Sequence, residues 1–315
     1  MKKSKIKEFK KLRIAVLGFG GIGKHHVQVL NKLGAQICGV LTSSSKSAKN
    51  AASEINDIYG LNIAPYADLN KLITKSNPHA IHICTPDKYH FSSMVQAFEY
   101  NLPVFCEKPL FWNESICQEE VNKKLSIIEN HPNRKIFMNT CNSSIIHQIK
   151  ANIGSAQKIT AFDLKFSTNG NKRFHNIATD LMPHGLSMLQ ELAGTSSKVK
   201  EFLANIGENK YFCRFKYNNI NVSFEFSESL NSDKEMIFSI NNKKYQRIQR
   251  VKNQKIYVSV IDLDTKEIFN IVNPLEVFIK NFLRFCLNPN INKKDDFISI
   301  AWNTSLMSNL LLQGK

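Results

Sequence analysis

Short apolar runs recur along the first half of the chain, each separated from the next by a stretch with helical spacing. "RIAVLG", "AQICGVL", "AIHICTP", "PVFCEKP" and "KIFMNT" are rich in β-branched and other apolar residues and read as buried strands. Between them the spacing predicts helices over Gly21–Leu33, Ser47–Tyr59, Asp68–Ser76, Phe91–Tyr100 and Asn113–Glu129, with a short extended segment at "NIAPYA". Strands joined by helices of this length cannot be hairpins. They are parallel strands with crossover helices, which makes this half a doubly wound α/β sheet.

The second half changes period. After a helix expected over Ser143–Ala151, "SAQKITAFDLKFST" alternates as a half-buried strand does, and a helix is expected over Asp180–Leu192. "KVKEFLANI", "KYFCRFKYN", "INVSFEFSE", "KEMIFSIN", "KKYQRIQRV" and "KIYVSVIDL" then follow, separated by polar turns. They predict an antiparallel meander with one wet face, in an α+β domain with a large, mostly antiparallel open sheet. Helices over Leu275–Cys286 and Asp296–Leu312 close the pattern. The expected division is a basic leader at 1–11, a dinucleotide-binding Rossmann domain at 12–141 and the α+β domain at 142–315.

The formal net charge of +16 admits a nucleic-acid partner. Yet the basic residues are spread along the chain, and no helix-turn-helix, RNA-binding sheet signature or zinc finger accompanies them. The surplus is read as solvated lysine that also attracts anionic small molecules. No apolar run approaches the roughly 18 residues a bilayer requires, so no membrane partner is expected. "MKKSKIKEFKKLR" before "IAVLGFGGIG" imitates a signal peptide, but the apolar part is broken by glycine and lacks a small-residue cleavage site. A cytoplasmic location is therefore expected. Cys38, Cys84, Cys106, Cys117, Cys141, Cys213 and Cys286 are odd in number and contain no CxxC pair, which argues for reduced thiols and against a zinc site. No metal is expected.

The chemistry begins at Gly18-Phe19-Gly20-Gly21-Ile22-Gly23, a G-x-G-x-x-G loop between a strand and a helix. Gly18 allows the tight turn, Gly20 lets a pyrophosphate approach, and Gly23 lets helix and strand pack closely. The helix start offers free N–H groups to phosphate. Past the second strand stand Thr42, Ser43, Ser44, Ser45 and Lys46, with no acid to accept from ribose hydroxyls. Hydroxyls plus a lysine suit a 2′-phosphate, and the same serines also suit a helix N-cap. NADP(H) is therefore the preferred cofactor, with NAD(H) the alternative. Thr85-Pro86, His90 and Glu107-Lys108-Pro109 lie near the carboxyl ends of further strands, where ligands sit in such sheets. His25 and His26 follow the glycine loop and read as helix-surface residues, one of which could approach a phosphate.

The glycine loop followed by "CTPDKYHFSSMVQAFEYNLPVFCEKPL" resembles the glucose-fructose oxidoreductase / inositol dehydrogenase (Gfo/Idh/MocA) family over residues 12–142. The resemblance implies an enzyme moving a hydride between the cofactor and a sugar, sugar acid, polyol or nucleotide sugar. It implies that Lys108 lies beside the nicotinamide and the substrate. It also implies an Asp-x-x-x-His pair, here Asp180 and His184, with His184 as general acid/base and Asp180 orienting it. Pro183 then requires the helix to start close by. Two features depart from the family: Ser187 stands where relatives carry an acid, and "MNTCNSSIIHQ" lacks the usual arginine. A homodimer or homotetramer follows by the same analogy. Two other functions remain open: reduction of a C=N or C=C bond, and a dinucleotide-binding sensor without turnover.

Overall fold

The computed structural model describes residues 8–153, 158–195, 199–230, 233–252, 255–288 and 297–313. The chain forms two compact units, Met1–Asn139 with Phe278–Ile300 and Thr140–Val277 with Ala301–Lys315.

In the first unit, β1 (Arg13–Leu17), β2 (Gln36–Leu41), β3 (Ala64–Tyr66), β4 (Ala80–Ile83), β5 (Val104–Cys106) and β6 (Ile136–Met138) form a sheet in the order β3-β2-β1-β4-β5-β6. Every neighbouring pair is parallel, as the helical spacers require. The order reverses between β1 and β4, and the carboxyl ends of these two strands frame the crevice where doubly wound sheets bind ligands. The connecting helices are α1 (Gly21–Leu33), α2 (Ser45–Tyr59), α3 (Leu69–Ser76), α4 (His90–Glu99) and α5 (Gln118–Glu129). α5 begins later than the expected Asn113. The Asn113 side-chain Oδ1 instead accepts from the Ser115 N–H and hydroxyl, which favours a local turn over a helix.

The second unit contains α6 (Ser143–Ile153), β7 (Ala161–Thr168), α7 (His175–Ala193), β8 (Val199–Ile206), β9 (Lys210–Tyr217), β10 (Ile220–Glu228), β11 (Glu235–Ile240), β12 (Lys243–Lys252), β13 (Lys255–Asp262) and β14 (Ile268–Ile271). Its eight-stranded sheet runs β14-β13-β12-β11-β7-β10-β9-β8. This is not the single meander expected. β7 sits in the middle, parallel to β10 and antiparallel to β11, and a meander continues on each side. Alternation sets which face is buried but carries no information about strand order. β14 escapes the pattern because it is short and edge-exposed. On the open face, the hydroxyls of Ser223 and Ser239 donate to the two oxygens of Asp163 at 2.5 and 2.7 Å.

α8 (Pro274–Leu287) and α9 (Phe297–Gln313) complete the described residues. The described residues 278–288 and 297–300 belong to the first unit, outside the contiguous 12–141 span. The cause is aromatic: the Phe282 ring packs against His82, Phe105 and Phe137, and Phe285 packs against Phe137. Among the described residues no helix is long and apolar enough to cross a membrane. All seven cysteines are free thiols, and burial pushes that of Cys213 up to about 12.

Candidate active site

The glycine loop divides into positions that need glycine for packing and positions that face open space. Gly18 has φ +89°, and a Cβ there would stand 2.5 Å from the Cys84 carbonyl oxygen. A Cβ on Gly23 would overlap the Gly18 carbonyl. These two residues therefore hold the end of β1, the start of α1 and the end of β4 together. At Gly20 and Gly21 an added Cβ meets nothing within 4 Å. Gly20 is the N-cap of α1, contributes no side-chain cap, and no acid follows in the first turn. The first N–H groups and the positive end of the helix dipole are thus left for a ligand. Phe19 is half-buried and Ile22 is exposed on the same loop. Beside it the Thr85 hydroxyl oxygen is buried without a hydrogen-bond partner among the described residues. An open helix start, an orphaned hydroxyl and a cradle that a Cβ would fill all suit the pyrophosphate of a dinucleotide. Gly20→Val should therefore fold normally, because a Cβ there meets no atom within 4 Å, yet lose dinucleotide binding as read by fluorescence titration with NADPH and NADH. Unchanged affinity in the folded variant would remove the loop from the cofactor site.

At the end of β2, Ser44 caps α2 and forms a capping box with Ser47. The Thr42 hydroxyl lies 2.6 Å from that of Ser47. Thr42 and Ser44 are thus engaged in the cap, while Ser43 and Lys46 are exposed. α2 has no acid in its first turn.

His26 is not on the helix surface. It is fully buried, and a polar chain runs through the core from it. Its Nδ1 lies 2.9 Å from His82 Nδ1, and its Nε2 lies 2.7 Å from Glu107 Oε1. Asn139 Nδ2 donates to the same Glu107 oxygen at 2.5 Å. The carboxylate can only accept, so it places a proton on His26 Nε2. Helical spacing marks His26 as polar but does not show that α1 turns it under β4 and β5. Burial raises the Glu107 pKa, but the hydrogen bond and charge of His26, then Lys108 and Asn139, outweigh it and hold the carboxyl below its usual range. Burial, and secondarily His26, holds His82 well below the ordinary histidine value. Glu107 thus faces the core and anchors the chain immediately before Lys108. The histidine inside the apolar run "AIHICTP" was the one sequence signal of this network.

His90 is likewise a brace. Its Nδ1 lies 2.9 Å from the Pro109 carbonyl oxygen and its Nε2 lies 2.7 Å from that of Thr85. It links the Thr85-Pro86 turn to the Lys108-Pro109 turn. Lys108 itself is half-buried.

In the second unit Asp180 and His184 both lie on α7, one helical turn apart and half-buried. The helix starts at His175, well before Pro183, so the expected start near the proline is corrected. A proline inside a helix costs about 3 kcal/mol. Here Met182, Pro183 and Leu186 are buried, and Asn303 Nδ2 donates to the Pro183 carbonyl at 3.0 Å. Tertiary burial overrides the local preference. A Cβ on Gly185 would stand 3.0 Å from Phe224 and 3.1 Å from Leu164, so glycine lets α7 settle onto the sheet beside His184. The His184 ring meets Phe166 edge-on at 5.8 Å. Ser187 does not substitute for an acid: it is buried, and its hydroxyl donates to the His184 carbonyl at 2.8 Å. Among the described residues no group of His, Cys, Asp and Glu is arranged to hold a metal ion.

Residues 12–126 match the profile of the oxidoreductase family with an NAD-binding Rossmann fold, Gfo/Idh/MocA. The match covers little more than a third of the chain. Inositol 2-dehydrogenase of Burkholderia cenocepacia is 27% identical over 117 residues, 36% of this chain and 34% of that protein. Inositol 2-dehydrogenase of Azotobacter vinelandii is 32% identical over 113 residues, 35% of this chain and 32% of its own length. The alignments thus span about a third of these relatives. Solved structures extend the likeness of fold to nearly the whole chain. UDP-N-acetylglucosamine 3-dehydrogenase from Acidithiobacillus ferrooxidans superposes with a TM-score of 0.68 at 14% identity, over 96% of this chain and 97% of that one. The 3-ketoreductase KijD10 from Actinomadura kijaniata, in complex with TDP-benzene and NADP, gives 0.69 at 12% identity over 94% and 95%.

Proposed function

We propose that this protein is an NADP(H)-dependent oxidoreductase of the Gfo/Idh/MocA family, acting on a CH–OH or carbonyl group of a sugar, sugar acid, polyol or nucleotide sugar. The observation that carries the reading is the uncapped start of α1 beneath Gly20, at the switch point of a sheet whose β5 ends in Glu107-Lys108-Pro109. The inositol dehydrogenase relatives and the sugar-nucleotide enzymes of the same fold support the substrate class. The bound nicotinamide supplies the hydride acceptor or donor. His184 takes the hydroxyl proton on its imidazole in the oxidative direction and returns it in reduction. The Lys108 ammonium stabilises the alkoxide that develops as the proton leaves. Asp180 orients the imidazole. Gly18 to Gly23 hold the pyrophosphate, and Thr85-Pro86 lines the same crevice.

The preference for NADP(H) rests on the absence of an acid near the end of β2 and the exposure of Ser43 and Lys46. One charge-assisted contact to phosphate contributes about 1.5–3 kcal/mol. Fluorescence titration should therefore show tighter binding of NADPH than NADH, and Lys46→Ala should weaken NADPH by about tenfold or more. Equal affinities, or no effect of Lys46→Ala, would sink the preference. Turnover against a panel of polyols, free sugars and nucleotide sugars tests the reaction class.

A further inference from the structure

Arg247 is a charged residue on the covered face of the second unit's sheet. Register places it in one row with Phe226, Phe166, Met236 and Val260, one residue per strand from β10 to β13. Phe226, Met236 and Val260 are buried. The His184 ring packs on Phe166, so this is the face that α7 covers. Arg247 stands two strands from Phe166, roughly 10 Å at the usual strand spacing.

The guanidinium is poorly compensated. Its Nη2 donates to Gln249 Oε1 at 2.6 Å. Its Nε is buried with no hydrogen-bond partner among the described residues. Among the described residues it forms no ion pair with a carboxylate. Burial holds its pKa below the usual arginine range, though the group remains charged at any physiological pH. The side chain is half-buried, its Nε is sequestered without a partner among the described residues, and the fork presented by an arginine matches two oxygens of one oxyanion.

We propose that Arg247 anchors an oxyanion of the substrate, a carboxylate or a phosphate, on the same sheet face as His184. This rests on the proposed oxidoreductase function and narrows its substrate to an acidic sugar derivative. Neutral polyols such as the substrate named for the inositol dehydrogenase relatives then bind without the contact that Arg247 supplies.

The test uses the full chain with NADPH present. Binding of D-glucuronate, D-glucose 6-phosphate, UDP-glucose, neutral D-glucose and myo-inositol is measured by thermal shift and calorimetry at matched ionic strength. The expected result is that at least one acidic probe binds the wild type more tightly than its neutral counterpart. Arg247→Gln should weaken that probe by about tenfold or more and leave the neutral ones unchanged. Arg247→Lys should recover part of the loss, since it restores the charge without the fork. Whether glucuronate or the phosphorylated probes lose affinity distinguishes carboxylate from phosphate. Arg247→Gln removes an unpaired charge, so it should melt at or above the wild-type temperature, and Arg247→Met provides a second neutral variant of similar length. The anchor is overturned if no acidic probe outbinds its neutral counterpart, or if both neutral variants keep the acidic preference. Arg247-dependent anion binding without any hydride transfer would instead overturn the proposed function and leave the anchor standing.

Discussion

Lys108→Ala should lower kcat by about 10² or more while NADPH binds as before, because a charge aimed at the developing alkoxide is lost and the glycine loop is untouched. The position is prepared for that task. Glu107, immediately before it, is fixed in the core by His26 and Asn139, and Pro109, immediately after it, is held through its carbonyl by His90. The lysine side chain thus projects from a backbone secured on both sides. His184→Ala should lose a comparable factor, together with the pH-dependent limb that an imidazole base imposes on turnover. Asp180→Asn should cost less, since it acts through the histidine. Steady-state kinetics combined with cofactor titration separates chemistry from binding. Full turnover in Lys108→Ala would remove the lysine from the chemistry, whereas NADPH binding with no turnover in the wild type would favour the sensor over the enzyme.

Glu107→Ala should destabilise the first unit by roughly 2–5 kcal/mol at pH 7, because the donors on His26 and Asn139 lose their buried acceptor. The same network makes the fold acid-sensitive. Glu107 has a lowered folded pKa, so its contribution is present above the unfolded carboxyl value and is lost as pH falls through the folded one. His82 is held neutral, mainly by burial, with a folded pKa well below 6.5. The unfolded chain binds the histidine proton first, so stability falls as pH drops below about 6.5, by up to ~1.4 kcal/mol per pH unit for this group. Both act in the same direction. Urea titrations between pH 7.5 and pH 5 should show that slope in the wild type. His82→Phe, which keeps an aromatic ring stacked on Phe105, should flatten the histidine part of it. An unchanged slope in that variant would locate the acid sensitivity elsewhere.

Much of the first unit is legible in one dimension. Buried apolar runs and helical spacers dictate parallel strands, and the strand-loop-helix context makes G-x-G-x-x-G informative. Gly18 and Gly23 have the packing roles that the motif implies, and Gly20 faces open space. The same reading fails where a side chain's partner lies far along the chain. His26, His82, Glu107 and Asn139 come from four separate elements, and only the assembled sheet turns them toward one another. Local spacing accordingly places His26 on the surface and Glu107 beside the cofactor, whereas the two meet in the core.

By itself, the sequence determined the element types, the position of the glycine-rich turn, the absence of an acid at the end of β2, and the Asp180–His184 spacing. These follow from local rules of period, turn chemistry and helix geometry, which act within a few residues. Only the tertiary structure decided that β7 inserts between β10 and β11, that α7 continues through Pro183, that Phe282 and its neighbours on α8 return to the first unit, and that Arg247 lies in an apolar row on the sheet face that α7 covers. Each of those outcomes is set by burial of surface between distant segments. That free energy outweighs a local penalty of a few kcal/mol and leaves no mark in the spacing of neighbouring residues.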